Sequence, residues 1–335
     1  MIYIEPQGTC AAFHFAAEEY LMQNSKFTEP ILMIWQAANC AMLGVNQIAE
    51  AEINMIKAKE QGAQIVRRQS GGGTIYTDMG SLLYTFILPY KNEHSPIDVL
   101  RKHVAAPVIF ALRQLGVAAE LIGRNDILVD GKKISGLAQY AKNGKILTHG
   151  SLLYNTNLDM LTELITANPE KFQSKALASV RSRVENIVNY IPPKQNGEKP
   201  TTNEFWAQLK QNLLHSNFTG YSFSSHETAE INTIRDEKYA NDKWTSGRTP
   251  NYTYKNSRRF DGGTLEVFFN VQNGLITNCS IHGDFLGILP IYELEELLKN
   301  QPLNPHAITA AIGATPLTAY LGGVMLDEFL CCVFE

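Results

Sequence analysis

Apolar and polar positions change their period along this chain, and the changes mark out its elements. Leu82 to Leu88 is an almost unbroken apolar run and predicts a buried strand. Ile2 to Ile4, Ile31 to Gln36, Ala41 to Val45 and Gln64 to Arg67 predict shorter ones. Between them, Ala11 to Gln23 carries Phe15, Leu21 and Met22 with the acidic pair Glu18-Glu19 and predicts a helix; Glu50 to Gln61 predicts another, ended by Gly62. Ser95-Pro96 is a helix start, followed at helical spacing by Ile97, Leu100, Val104, Val108, Leu112 and Leu115. Gly116 ends this helix and Pro107 predicts a kink inside it.

Asp130-Gly131 and Asn143-Gly144 each stand between apolar runs and predict tight primed turns, giving an antiparallel meander that ends at Leu153. Helices are expected at 158–165, 169–178 and 227–239, and after the Thr201-Thr202 cap, where Phe205, Trp206, Leu209 and Leu213 share a face. The stretch from Asn241 to Arg259 is polar and aromatic with little periodicity, so a domain boundary is placed near its start, dividing 1–245 from 246–335. The last part reads as a hairpin around Asn273-Gly274 and two helices, 290–300 and roughly 305–312. The expected fold is α+β (α/β): a mixed, largely antiparallel sheet flanked by helices, then a small α+β C-terminal domain.

Composition changes this picture little. With 335 residues, 44% hydrophobic and 19% charged, the chain reads as a two-domain globular protein. A net charge of -4 gives no sign of a nucleic-acid surface, and no apolar window is long enough to predict a membrane span. Five cysteines without a C-x-x-C spacing indicate neither a zinc site nor a disulfide framework, which suits a cytoplasmic protein.

The chemistry gathers at two stretches. The first is Arg67 to Leu88, RRQSGGGTIYTDMGSLLYTFIL. Three consecutive glycines, Gly71 to Gly73, can lie close to a ligand and form a concave nest of N–H groups, and Arg68 can add a forked contact to phosphate or carboxylate. A plain loop between strands explains the glycines equally well. The second is Gly123 to Tyr140, where Lys133 follows a predicted tight turn and Asn125-Asp126 precede the strand. A positioned ammonium can offset charge between a phosphate and a carboxylate, or it is a solvated turn residue. Asp126 is either a Mg²⁺ ligand or a turn residue. His149 is either a substrate contact or a structural histidine. Arg181 and Arg183, in SVRSRV, are either an anion clamp or ion-pair partners.

In this order and spacing, RRQSGGGTIYTDMG, GRNDILVDGKKISGLA, HGSLL and SVRSRV resemble the lipoate-protein ligase A family of the biotin/lipoate ligase superfamily. FHFAAEEYL near the start, and DEKYANDKW, LEVFFNVQNGLI and HGDFLG near the end, extend the resemblance over nearly the whole chain. The resemblance implies an ATP-dependent enzyme that converts lipoate or octanoate to an acyl-AMP with release of pyrophosphate. The acyl group then passes to a lysine of apo lipoyl domains, on 2-oxo-acid dehydrogenase E2 subunits or the glycine cleavage H protein. It further implies Lys133 as the catalytic lysine, contacting lipoate and nucleotide, with Ser70, Gly71, Gly72 and His149 on the lipoate. Arg68, Gly73, Thr74, Ile75, Tyr76, Asp78 and Asn125 fall on the nucleotide, and Asp126 on Mg²⁺. An ATP-independent lipoyl or octanoyl transferase of the same fold is the alternative. The chain departs from the family pattern at His14, Val45, Ser81 and Thr148; Val45 removes a charge expected near the acyl pocket.

Overall fold

The computed structural model describes residues 1–91, 95–165, 183–214, 218–246 and 252–334; the helix expected at 169–178 and the segment Ser179–Ser182 lie outside them. The first strands follow the apolar runs: β1 (Ile2–Ile4), β2 (Ile31–Trp35), β3 (Cys40–Leu43), β4 (Gln64–Arg67), β5 (Ile75–Thr77) and β6 (Ser81–Pro89). Then come β7 (Glu120–Ile122), β8 (Asp126–Val129), β9 (Lys132–Lys142), β10 (Lys145–Leu153) and β11 (Thr219–Tyr221). One sheet has the order β11-β1-β2-β6-β10-β9-β8-β7. Its β11–β1 and β1–β2 pairs are parallel and the rest antiparallel, the mixed, largely antiparallel sheet expected. Both turns of the meander are realised, with φ of 49° at Asp130, 73° at Gly131, 53° at Asn143 and 71° at Gly144. Two successive positive φ values match the right-handed twist of the flanking strands.

Period-two alternation divides the sheet between two helical layers. Leu82, Tyr84 and Phe86 of β6 join Leu32 and Ile34 of β2 against the helices that carry Val104, Leu112, Phe205 and Leu209. Leu83 and Ile87 join Ile31, Met33 and Trp35 against α1 (Ala11–Gln23) and Ile231. β3, β4 and β5 form a separate sheet in the order β4-β3-β5, so β2 and β3 are not hairpin partners. The C-terminal unit has its own core, built on β12 (Tyr254–Phe260), β13 (Gly263–Gln272) and β14 (Leu275–Gly283).

Three expectations need correction. The helix at 50–61 is two short helices, Ala49–Glu52 and Met55–Glu60, because Ile53 turns extended to bridge Ile165 and Asn54 caps the second piece. A π-helical turn at Leu100–Ala105 takes the place of a simple kink at Pro107: widening the turn accommodates a ring that has no N–H to donate. Tyr254–Phe260 is an edge strand, although its sequence, YKNSRRF, shows little apolar alternation, because β13 supplies the pairing. The short strands β7 and β11 and the helices Leu317–Tyr320 and Leu326–Phe334 were not predicted from the pattern.

Candidate functional site

β4 runs parallel to β3 and delivers the chain into the glycine loop. The two arginines at its end act inward. Arg67 is fully buried and donates to the carbonyls of Gly44, Val45, Gln47, Trp244 and Thr245, at 2.6 to 3.2 Å. Arg68 donates to Ser70 Oγ (3.1 Å) and to the carbonyls of Met42 (2.9 Å), Gly71 (2.8 Å) and Gly73 (2.7 Å). Burial, with Arg67 beside it, pushes the Arg68 guanidinium down to about 10. Arg68 thus shapes the loop from within and presents only part of its fork to the site. Gly72 sits at φ 88°, and a Cβ on Gly44 would stand 2.0 Å from the Gly72 oxygen, so two backbones meet where side chains cannot fit.

A chain of buried polar groups ties this loop to the sheet. Ser70 Oγ lies 2.6 Å from His149 Nε2, and His149 Nδ1 lies 3.1 Å from Glu18 Oε1. Thr85 donates to the same Glu18 oxygen at 2.5 Å, and Trp35 Nε1 donates to Thr85 Oγ1 at 3.1 Å. A carboxylate only accepts, so the His149 proton sits on Nδ1 and Nε2 accepts from the Ser70 hydroxyl. Every member has a partner, as a buried network requires. The sequence reading placed Glu18 only in an acidic pair on a helix. An acid on the apolar face of α1 was the signal for its buried role.

Lys133 comes from the β8–β9 hairpin. The register shifts between Ile127 and Leu128, leaving Ile134 as an extra residue. Such a bulge re-aims neighbouring side chains. The Lys133 ammonium lies 2.8 Å from Asp126 Oδ1, and both side chains are 37% exposed. Gly136 makes room for it: a Cβ there would be 3.0 Å from Lys133 Nζ.

Two cavities meet at this lysine. A narrow slot of about 110 Å³ is walled by Phe15, Trp35, Met42, Leu83 and Leu137. A wide cleft of about 910 Å³ opens between the N-terminal part and β12. Lys133, Gly73, Thr74 and Ile75 line both. Arg68, Gly72, Asn125 and His149 line the slot, and Tyr76 lines the cleft. The remaining expected residues lie behind this surface. Ser70 is fully buried beneath His149, Gly71 packs against the Phe285 carbonyl, and Asp126 stands behind Lys133. Asp78 lines neither cavity. Its carboxylate accepts from the N–H groups of Gly80 and Asn157 and closes a turn. Val45 also lines neither; its N–H donates to the Ser70 carbonyl at 2.9 Å. The other departures have local partners: Thr148 accepts from Gln139 at 2.7 Å, Ser81 Oγ lies 2.8 Å from Thr156 Oγ1, and the His14 ring lies 4.8 Å from that of Trp35. Arg183 is exposed, and its expected partner Arg181 lies outside the described residues. Among the described residues no group of three His, Cys, Asp or Glu side chains is placed to hold a metal ion, and no helix is long and apolar enough to cross a membrane.

The C-terminal unit closes the slot. Gly72 N–H donates to the Phe285 carbonyl at 3.1 Å, Ala141 N–H to that of Ile288 at 3.1 Å, and Leu286 lines the slot itself. No signal in the sequence placed Leu286 there.

Residues 10–214 match the family model described as the lipoyl protein ligase A/B catalytic domain, and 249–333 match that of the bacterial lipoate protein ligase C-terminus. The chain is 34% identical over 339 residues to the lipoate-protein ligase LplJ of Bacillus subtilis, and 32% identical over 345 residues to a lipoate–protein ligase of Streptococcus pyogenes; both matches cover 100% of each chain. Among solved structures, P. falciparum LipL1 in complex with lipoate superposes with a TM-score of 0.78 at 24% identity, covering 93% of this chain and 94% of that one. The bipartite lipoate protein ligase of Thermoplasma acidophilum gives 0.63 at 25% identity, covering 76% and 98%.

Proposed function

We infer that this chain, which belongs to the lipoyl protein ligase A/B family, is an ATP-dependent lipoate–protein ligase. The observation that carries the reading is the meeting, at Lys133, of a narrow slot walled by apolar side chains and a wide cleft lined by charged ones. An acyl chain fits the slot, and a nucleotide fits the cleft. The carboxylate and the α-phosphate then meet beside one ammonium. A carboxylate oxygen attacks the α-phosphorus, and pyrophosphate leaves with the electron pair of the broken bond. The amine of an acceptor lysine next attacks the acyl carbonyl, and AMP leaves. Both steps need alignment and charge compensation rather than a protein nucleophile.

In this reading Lys133 is the catalytic residue. Gly72 and His149 face the acyl group, Gly73, Thr74, Ile75 and Tyr76 face the nucleotide, and Arg68 and Asn125, on the slot wall, serve the nucleotide where the two cavities meet. Ser70 and Gly71 act by holding the loop. Mg²⁺ enters with ATP as the substrate complex. Asp126, which pairs with the Lys133 ammonium, is the carboxylate we assign to that ion. The acceptors are apo lipoyl domains, of 2-oxo-acid dehydrogenase E2 subunits or the glycine cleavage H protein, and the setting is cytoplasmic. The division into a catalytic part, 1–245, and an accessory part, 246–335, belongs to the same proposal, and the separate C-terminal core supports it.

The transferase alternative needs a cysteine to carry the acyl group, and no cysteine lines either cavity. Intact-mass measurement of an apo lipoyl domain incubated with the enzyme and lipoate separates the two readings. We expect a lipoyl mass gain that requires MgATP and falls at least a hundredfold in rate in Lys133→Ala, the order of loss for one positioned charge. A gain from an acyl-carrier thioester without ATP would establish the transferase instead.

A further inference from the structure

Within the wide cleft the N-terminal part contributes a single described cation, Lys133, together with the carboxylate of Glu52. Arg68 lines the slot and is committed to loop carbonyls. A triphosphate brings several negative charges, and more charge develops on the leaving pyrophosphate as the bond to the α-phosphorus breaks. The other cations of the cleft come from the opposite wall. Lys255, Arg258 and Arg259 of β12 line it, with Glu266 and Asp284 beside them.

Arg259 is the best prepared of these. Its Nη1 donates to Thr264 Oγ1 at 2.9 Å and to Asp284 Oδ2 at 2.8 Å, yet the side chain is 63% exposed. The guanidinium is therefore steadied on one side and open to solvent on the other. Asp284 is itself fixed, since its Oδ1 accepts the Thr264 N–H at 2.5 Å. Lys255 shares the same face of β12 and lies 3.8 Å from Glu266, a distance that leaves most of its charge available. An arginine fork suits phosphate oxygens, and a lysine acts there as a point charge.

We propose that β12 completes the nucleotide site: Arg259, aided by Lys255, receives the β- and γ-phosphates of ATP and the pyrophosphate that leaves, while Lys133 attends the α-phosphate. This rests on the ligase reading and assigns the C-terminal unit a chemical part in the first half-reaction. The bare alternative is that Arg259 only staples the β12–β13 hairpin to Asp284.

The test uses the full-length protein and three variants, Arg259→Gln, Arg259→Lys and Asp284→Asn, each checked by its melting temperature. Calorimetry with inorganic pyrophosphate, at two salt concentrations, measures the phosphate site without requiring turnover. Lipoate-dependent exchange of labelled pyrophosphate into ATP measures the first half-reaction. Transfer from synthetic lipoyl-AMP to an apo lipoyl domain measures the second. We expect Arg259→Gln to weaken pyrophosphate binding at least tenfold and to raise the KM for ATP in exchange. Its loss in transfer should be far smaller, and Arg259→Lys should recover part of the affinity. Asp284→Asn should bind pyrophosphate as well as the wild type or better, because it releases the guanidinium. Unchanged pyrophosphate affinity in Arg259→Gln overturns the proposal, as does an equal loss in Asp284→Asn, which marks a staple. Wild-type protein that fails to bind pyrophosphate overturns it too. Wild-type protein that binds pyrophosphate through Arg259 but catalyses no exchange upholds the phosphate site and removes the ligase reading instead.

Discussion

His14 shows how one buried side chain that lines neither cavity can still bear on the whole molecule. The ring is fully buried in α1 against Trp35, and its Nε2 lies 3.2 Å from the Gly8 carbonyl. Burial pushes its pKa down from 6.5 to about 4. The folded state therefore refuses a proton that the unfolded chain accepts below pH 6.5. The stability tied to the neutral ring is fully present above that pH and is lost as pH falls toward 4, by about 3 kcal/mol at most. Asparagine, a polar side chain of similar size, has no such titration. Denaturant melts at pH 7.5 and pH 5 should show His14→Asn losing less stability than the wild type over that interval, and equal losses would remove His14 as the cause. Lys133 makes the complementary point. The tight-turn dipeptide beside it was legible in the sequence, and so was its place on a strand. The bulge at Ile134 and the space left by Gly136, which aim its ammonium, depend on pairing with β8 and were not.

At the scale of elements, the meander, α1 and the strand that delivers the glycine loop were legible because periodicity and turn chemistry are local. What escaped was set at a distance: the pairing that makes YKNSRRF a strand, the bridge that breaks the 50–61 helix, and the Glu18–His149–Ser70 chain that joins α1, β10 and the loop. The basic pair was legible as a pair, and its direction was not. Arg67, to which the sequence reading gave no role of its own beside Arg68, is a buried brace on backbone carbonyls. Its removal strands several acceptors away from water, each at about 1–3 kcal/mol. Arg67→Met should therefore cost about 3–5 kcal/mol, a fall in Tm of roughly 5 °C by calorimetry for a chain of this size. A change within 1 kcal/mol would show that water replaces the guanidinium.

Over the whole molecule, the two units meet at the glycine loop, so the position of one bears on the shape of the other. Arg124 reinforces that contact by donating to the carbonyls of Gly262 (3.0 Å) and Gly322 (2.5 Å). The extent of the N-terminal unit follows from Arg67, two of whose partners are the carbonyls of Trp244 and Thr245. A protein cut after residue 214, where the catalytic family match ends, lacks these acceptors and also loses β11 from the edge of β1. One cut after residue 246 keeps them all. We expect the shorter form to be insoluble or to melt broadly and the longer form to melt cooperatively, as judged by circular dichroism. A cooperative melt of the 1–214 form would show that Arg67 is satisfied in another way. The same bond sets a timetable in the cell. Arg67 leaves the ribosome 177 residues before Trp244, a delay of roughly 10–35 s at synthesis rates of ~5–20 residues per second. During that interval Arg67 lacks two of its carbonyl partners, Trp244 and Thr245, and for most of it β1 lacks its partner β11. We expect the nascent chain to be most exposed to misassociation until translation is about three-quarters complete, the period in which a chaperone would matter most to it.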